Sequence, residues 1–469
     1  MRAAASRPTA NGTEVSAPVP GGDLRRVFEL AWPVALSQST VTLLLTSNLY
    51  WIGHLGTVAV AAVALCSHIL FLGFCLTQIV FAGALAIISR RVGEGRPAAA
   101  WEAAVHATFL ALVLGGAIGL SSWWLAPLLV RFFGAGAEIE ALAIPFLRIT
   151  LGGQAFFFVP MALGAAYQGT GDTRMPMRIN VVVVLLNALI NPFLIFAPGE
   201  IQVAGFSPGW LGAGVRGAAI ADLLASAIGM LAFLGLAWLR GPLPRPRGRR
   251  IRVTPGDLWR IARIGLPACV SLLARPLSTF ILLRVVASFG APAVAAFGIT
   301  LRAYNINWIP LGGVSAAVST LVGQRLGAKQ PADAERLVRR SALATSVLGA
   351  FFWLGYATYA REFIAFFDDA PEVVAIGSRF LAILAASMAF SAATVPMVAA
   401  MNGAGDTRVP MIAAFLANWP VKLPLAWALA VPFGYGLEGV WWGLFVSVLL
   451  EAVLVALWFR RGAWKSRVV

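Results

Sequence analysis

Long uninterrupted apolar runs, separated by short clusters of arginine, glycine and proline, set the pattern of this chain. A helix needs roughly 20 predominantly apolar residues to cross the hydrocarbon core of a bilayer. The runs predict helical spans near residues 28–52, 60–88, 103–126, 142–167, 178–197, 217–239, 262–288, 293–322, 341–360, 374–401, 412–433 and 438–459. The strands of a membrane barrel alternate apolar and polar positions, and these runs do not. The expected fold is all-α, an integral membrane protein of about twelve transmembrane helices.

The pattern repeats. At a spacing of 234, Pro33 matches Pro267, Gly56 matches Gly290, and Arg91, Gly93 and Pro97 match Arg325, Gly327 and Pro331. Gly169-Thr170-Gly171-Asp172-Thr173-Arg174-Met175-Pro176-Met177 matches Gly403-Ala404-Gly405-Asp406-Thr407-Arg408-Val409-Pro410-Met411. Past the fifth span the spacing falls to 222, with Gly214 and Gly217 matching Gly436 and Gly439, so the first half has twelve extra residues near 197–216. Six spans per half return the chain to its starting side. The halves then share one orientation and are related by an axis along the membrane normal, an arrangement used by alternating-access transporters.

Composition removes the soluble alternatives. Of 469 residues, 59% are hydrophobic and 12% charged, against about 45–50% and about 25% in soluble domains. The net charge of +16 does not imply nucleic acid, because the basic residues sit in alternate gaps between spans. Those gaps hold Arg90 and Arg91, Arg174 and Arg178, the 240–263 stretch, Arg325 to Arg340, Arg408, and Arg460 to Arg467. The positive-inside rule makes these gaps and both termini cytoplasmic, in the cell inner membrane. The domain reading is a disordered cytoplasmic tail at 1–22, an N-lobe at 23–239, a cytoplasmic linker at 240–261, a C-lobe at 262–460 and a tail at 461–469. Cys66, Cys75 and Cys269 form no metal-ligand or redox spacing, and no phosphate-binding loop or hydrolase motif is present. No cofactor and no metal are expected.

The motifs resemble those of the multidrug and toxic compound extrusion (MATE) transporters. The resemblance is carried by Leu30-Ala31-Trp32-Pro33, by Trp51 to Gly56, by the doubled Gly-x-Gly-Asp-Thr-Arg-x-Pro motif, by Asn187 to Phe196, and by Asn418 to Pro424. It covers roughly residues 24–460. It implies two six-helix lobes around a central cavity and export of small organic compounds coupled to H⁺ or Na⁺, by a monomer surrounded by membrane lipid. The family commonly has Asp where this chain has Asn48 and Asn191, and sodium-linked members have Glu where it has Arg275. The usual carboxylates are thus absent from the first and fifth helices.

Intramembrane charges are rare and mark function by default. Asp222 is the acid of the sixth span. The family's pocket draws on the first, fifth and sixth helices, so the resemblance groups Asp222 with Asn48, Asn187 and Asn191 as ion-coupling candidates. Gln38, Gln154, Arg275 and Lys422 are substrate-cavity candidates, and Pro33 is the gating candidate, because proline removes a helical hydrogen bond and permits bending. Glu451 reads as the partner of an arginine on a neighbouring helix. Trp123, Trp124, Trp308, Trp353, Trp441 and Trp442 read mostly as interfacial aromatics. Two other functions stay open: a lipid or glycolipid flippase, if Arg275 and Lys422 line a cavity open sideways to lipid, and an intramembrane transferase, which needs clustered acids. Asp368-Asp369 is the only acidic doublet.

Overall fold

The computed structural model describes residues 22–134, 136–200, 209–241, 243 and 251–467. The described residues form twelve helical spans and no strands. In chain order they are α1 (Gly22–Gly53), α2 (Thr57–Gly93), α3 (Pro97–Phe132), α4 (Ala137–Gly152 with Ala155–Thr170), α5 (Arg174–Ile195) and α6 (Val215–Arg240). The second set is α7 (Pro255–Ala287), α8 (Ala291–Gly327), α9 (Pro331–Phe367), α10 (Pro371–Ala386 with Met388–Gly403), α11 (Arg408–Ala430) and α12 (Gly436–Arg461). Helices α7 and α1 reach into the stretches read as linker and tail. Of the stretches read as tails and linker, residues 1–21, 242, 244–250, 468 and 469 lie outside the described residues.

The structure follows the repeat closely. Spans α4 and α10 bend by 41° and 45°, at Gly153-Gln154 and at Ser387, which are repeat-mates. The long connection is the one between α5 and α6, where the second half passes from Ala430 to Gly436. In the first copy of the doubled motif, Gly171 takes φ +95 at the end of α4. Asp172 Oδ1 then accepts from the Arg174 and Met175 amides, at 3.1 and 3.0 Å, and caps α5. In the second copy Gly405 has φ +79 and Asp406 pairs with Arg467 at 3.1 Å.

Leu120, Trp123, Trp124, Leu185, Val347 and Leu354 are exposed, as expected of a surface that faces lipid. Trp441 corrects the aromatic-belt expectation. It is 1% exposed and stacks on Phe380 with ring centroids 3.8 Å apart. The apolar stripe of α12 turns it inward, against α8 and α10.

The two halves meet through a seam with two-fold character, α1 against α8 and α2 against α7. Glycine lets the backbones touch. A Cβ on Gly93 would stand 1.9 Å from the Gln324 carbonyl oxygen, and one on its repeat-mate Gly327 would stand 2.2 Å from that of Arg90, the repeat-mate of Gln324. Gly265 approaches the Ile79 carbonyl in the same way, and Gly313 that of Ala31. The hydrogen bonds between halves gather at the arginine-rich end: Gln324 donates to the Gly169 carbonyl at 2.9 Å and Gln168 to that of Ala316 at 3.3 Å. Buried Asp23 binds Arg325 at 2.6 Å and Arg340 at 3.4 Å. The lobes are therefore clamped on the arginine-rich side. Any side chain at Gly93 or Gly327 collides with backbone, which cannot move as a rotamer can. Gly327→Val is expected to open this end, raising the labelling by an impermeant maleimide of a cysteine placed at Arg90 in a cysteine-free background. Unchanged labelling would contradict the clamp.

Candidate functional site

Each lobe encloses one polar cluster, built from corresponding helices. In the first half it draws on α1, α5 and α6. Asn187 and Asn191 are four residues apart, so they share a face of α5, and both are buried, at 1% and 0% exposure. Asn187 donates to Asp222 Oδ1 at 2.6 Å and Asn48 donates to the same oxygen at 3.0 Å. Asn191 donates to the Asn187 side-chain oxygen at 2.9 Å and also to that of Asn48. Asp222 is half-buried. Asn191 Oδ1 is buried with no hydrogen-bond partner. The structure thus brings Asn48, Asn187, Asn191 and Asp222 into one network: a single carboxylate, three amides and a vacant acceptor.

The second cluster draws on α7, α11 and α12. Arg275 of α7 forms a two-point ion pair with Glu451 of α12, one contact from the Arg275 Nε at 3.3 Å. Asn418 bridges: its Nδ2 donates to Glu451 Oε2 at 3.2 Å, and its Oδ1 accepts from Lys422 Nζ at 2.9 Å. Lys422 also donates to Thr279 Oγ1 at 3.2 Å. Asn418 and Lys422 lie on a π-helical segment, Ala417–Lys422, that contains Pro420. Such segments appear frequently at functional sites. A proline has no amide hydrogen to give, which favours the wider turn.

The clusters differ in charge and depth. The first carries one acid and no base. The second carries Arg275, Lys422 and Glu451, a formal surplus of one positive charge. The repeat places Asn48 opposite Leu282 and Asp222 opposite Leu444, so Arg275 and Glu451 each sit seven residues nearer the arginine-rich end. Seven residues are two helical turns, about 10 Å.

The remaining candidates lie elsewhere. Gln38 is exposed at the α1–α8 seam, against Gly312. Pro33 lies inside the continuous helix α1, close to the Ala31–Gly313 contact. Gln154 stands at the α4 bend, buried over Gly73 of α2, where it donates to the Thr150 carbonyl at 3.4 Å. Its repeat-mate Met388 meets Asn307, the repeat-mate of Gly73. The second lobe thus has a side chain, Asn307, where the first has only Gly73, and Gln154 packs apart from both clusters. Asn418 is the site residue that the sequence reading missed. Its signal was the Asn418–Lys422 spacing of four, the same as that of Asn187 and Asn191.

The MatE family model matches the chain twice, over residues 33–193 and 267–428, and the two matches start 234 residues apart, in the register of the repeat. The chain belongs to the MATE family. It is accordingly a multi-pass membrane transporter and not an enzyme. The "Probable multidrug resistance protein NorM" of Thermotoga maritima is 25% identical over 453 residues, covering 95% of this chain and 94% of that protein. A protein with the same description from Rhizobium meliloti is 27% identical, covering 88% of each. A crystal structure of MATE in the bent conformation superposes with a TM-score of 0.86 at 23% identity, covering 94% of this chain and 95% of that one. MATE structures thus share the fold of this MATE protein.

Proposed function

We propose that this MATE protein exports small organic compounds from the cytoplasm by alternating access, driven by inward proton movement through the Asp222 cluster. The arginine-rich side is the cytoplasmic side by the positive-inside rule, and the inter-lobe clamp closes that side. The described conformation then faces outward, with Asp222 open to the side from which protons enter. The relatives described as multidrug resistance proteins support an organic substrate.

The observation that carries the reading is the Asp222 network. Charging a carboxylate away from water is costly unless it is hydrogen-bonded, and Asn48 and Asn187 supply two donors to the charged form. A protonated carboxyl must instead donate, and the cluster holds a free acceptor in Asn191 Oδ1. The pocket therefore serves both states. Sodium prefers a shell of several hard oxygens, and one carboxylate among amides that are already bonded offers few. Release of the α1–α8 contact beside Pro33 would let α1 bend as the proton leaves.

The test is transport in proteoliposomes with pH and Na⁺ gradients imposed one at a time. A pH gradient alone is expected to drive export of a fluorescent drug, and a Na⁺ gradient at equal pH is expected to drive none. Drive by Na⁺ alone would overturn the proton assignment.

A further inference from the structure

The second cluster faces a different task, because it carries positive charge in a place that disfavours it. Lys422 is 2% exposed and its two partners, Thr279 and Asn418, are neutral. The one carboxylate, Glu451, is held by Arg275. An unbalanced charge buried within a membrane protein is costly, and pairing removes much of that cost.

Access to the cluster is already built. The Arg275 side chain is 39% exposed, whereas that of Glu451 is 12% exposed. Around Arg275 stand Trp308 of α8, Glu451 of α12 and, through Asn418, Lys422 of α11. The Arg275 side chain is thus the more accessible partner of the ion pair. Its guanidinium carbon lies 5.7 Å from the Trp308 ring centroid. Beside Trp308 the side chains of Tyr304, Leu348, Phe352 and Met388 pack around a gap of about 10 Å³. A basic head beside an aromatic wall describes a seat for a carboxylate carried on an apolar body.

We propose that the Arg275–Glu451–Asn418–Lys422 cluster recognises a carboxylate of the transported compound, with Glu451 occupying Arg275 until that carboxylate displaces it. This deepens the export reading and rests on it. The incoming carboxylate takes the guanidinium by a bidentate pair, for which arginine is shaped. Glu451 then turns to Lys422, one amide away across Asn418, which touches both. The surplus charge of the cluster falls from one to zero, and no carboxylate or ammonium is left unpaired. The π-helical segment of α11 supplies the latitude for Asn418 to exchange partners. A cationic compound gains none of this, since it meets a site that is already positive.

Rhodamine B and rhodamine 6G make the probe pair, because the first has a free carboxylate and the second an ethyl ester on a similar dye. Binding is measured at equilibrium by fluorescence anisotropy on detergent-purified protein. No gradient is present, so a failure of the proton assignment leaves this result readable. The wild type is expected to bind rhodamine B more tightly than rhodamine 6G. Arg275→Gln with Glu451→Gln removes the pair without leaving a lone charge between the two positions. The double variant is expected to weaken rhodamine B by about tenfold or more, the worth of one charged hydrogen bond, and to leave rhodamine 6G unchanged. Lys422→Gln keeps the ion pair but removes the second seat for Glu451, and the same selective loss is expected. Tighter binding of rhodamine 6G by the wild type, equal loss of both dyes in the variants, or unaltered rhodamine B binding in the double variant would each overturn the proposal.

Discussion

Asp222→Asn is expected to abolish drug export driven by a pH gradient, down to the level of protein-free liposomes, with the protein still inserted and folded. The substitution is nearly isosteric and removes only the titratable group. Asn48 and Asn187 each donate to Asp222 Oδ1, and the carbonyl oxygen of the substituted amide accepts those bonds as the carboxylate does. The network keeps its shape while losing its proton. Asn48→Ala and Asn187→Ala remove donors to the charged form, and each is expected to slow transport without abolishing it. Initial rates of dye export against the imposed pH difference measure all three. A wild-type rate for Asp222→Asn would move the proton path elsewhere, with Glu451 the next carboxylate to test.

The largest stability effect is expected at Glu451. Removing it alone leaves Arg275 and Lys422 facing each other across Asn418 with no anion between them. Breaking a buried pair by deleting one partner costs about 3–5 kcal/mol. The partial exposure of Arg275 places Glu451→Ala at the lower end, about 3 kcal/mol. Arg275→Gln combined with Glu451→Gln removes both charges and is expected to cost clearly less than Glu451→Ala. Thermal unfolding in detergent, followed by tryptophan fluorescence, reads the difference. A double variant as unstable as Glu451→Ala would mean that the pair is not what stabilises this site.

Most of the architecture was legible because a bilayer imposes length and continuity on its spans. Every predicted span coincides with a helix, and the 234-residue register reappears in the bends of α4 and α10 and in the contact pairs of the seam. What was not legible was set by partners distant in sequence. Trp441 resembles an interfacial tryptophan until Phe297 and Phe380 are seen to enclose it. Gly93 and Gly327 look like loop glycines until the opposing carbonyls appear. Glu451 was read as paired with an arginine, yet 176 residues separate it from Arg275 and nothing local names that partner. The π-helical segment escaped because Pro420 and Pro424 fit an ordinary kinked span equally well. Asp222 stood out because it is the one acid of its span; of the three amides grouped with it by resemblance it touches Asn48 and Asn187, and Asn191 joins through those two.

The opposite signs of the two clusters have an electrical consequence. A proton moving inward carries one positive charge into the cell. A singly charged carboxylate moving outward carries one negative charge out, which is the same displacement again. Each turnover with such a cargo transfers two charges down an inside-negative potential, worth about 2.3 kcal/mol per charge at 100 mV. Export would therefore continue at equal pH on the two sides, drawing on voltage alone. It would register as an inward current on a supported membrane, doubled for an anionic cargo relative to a neutral one.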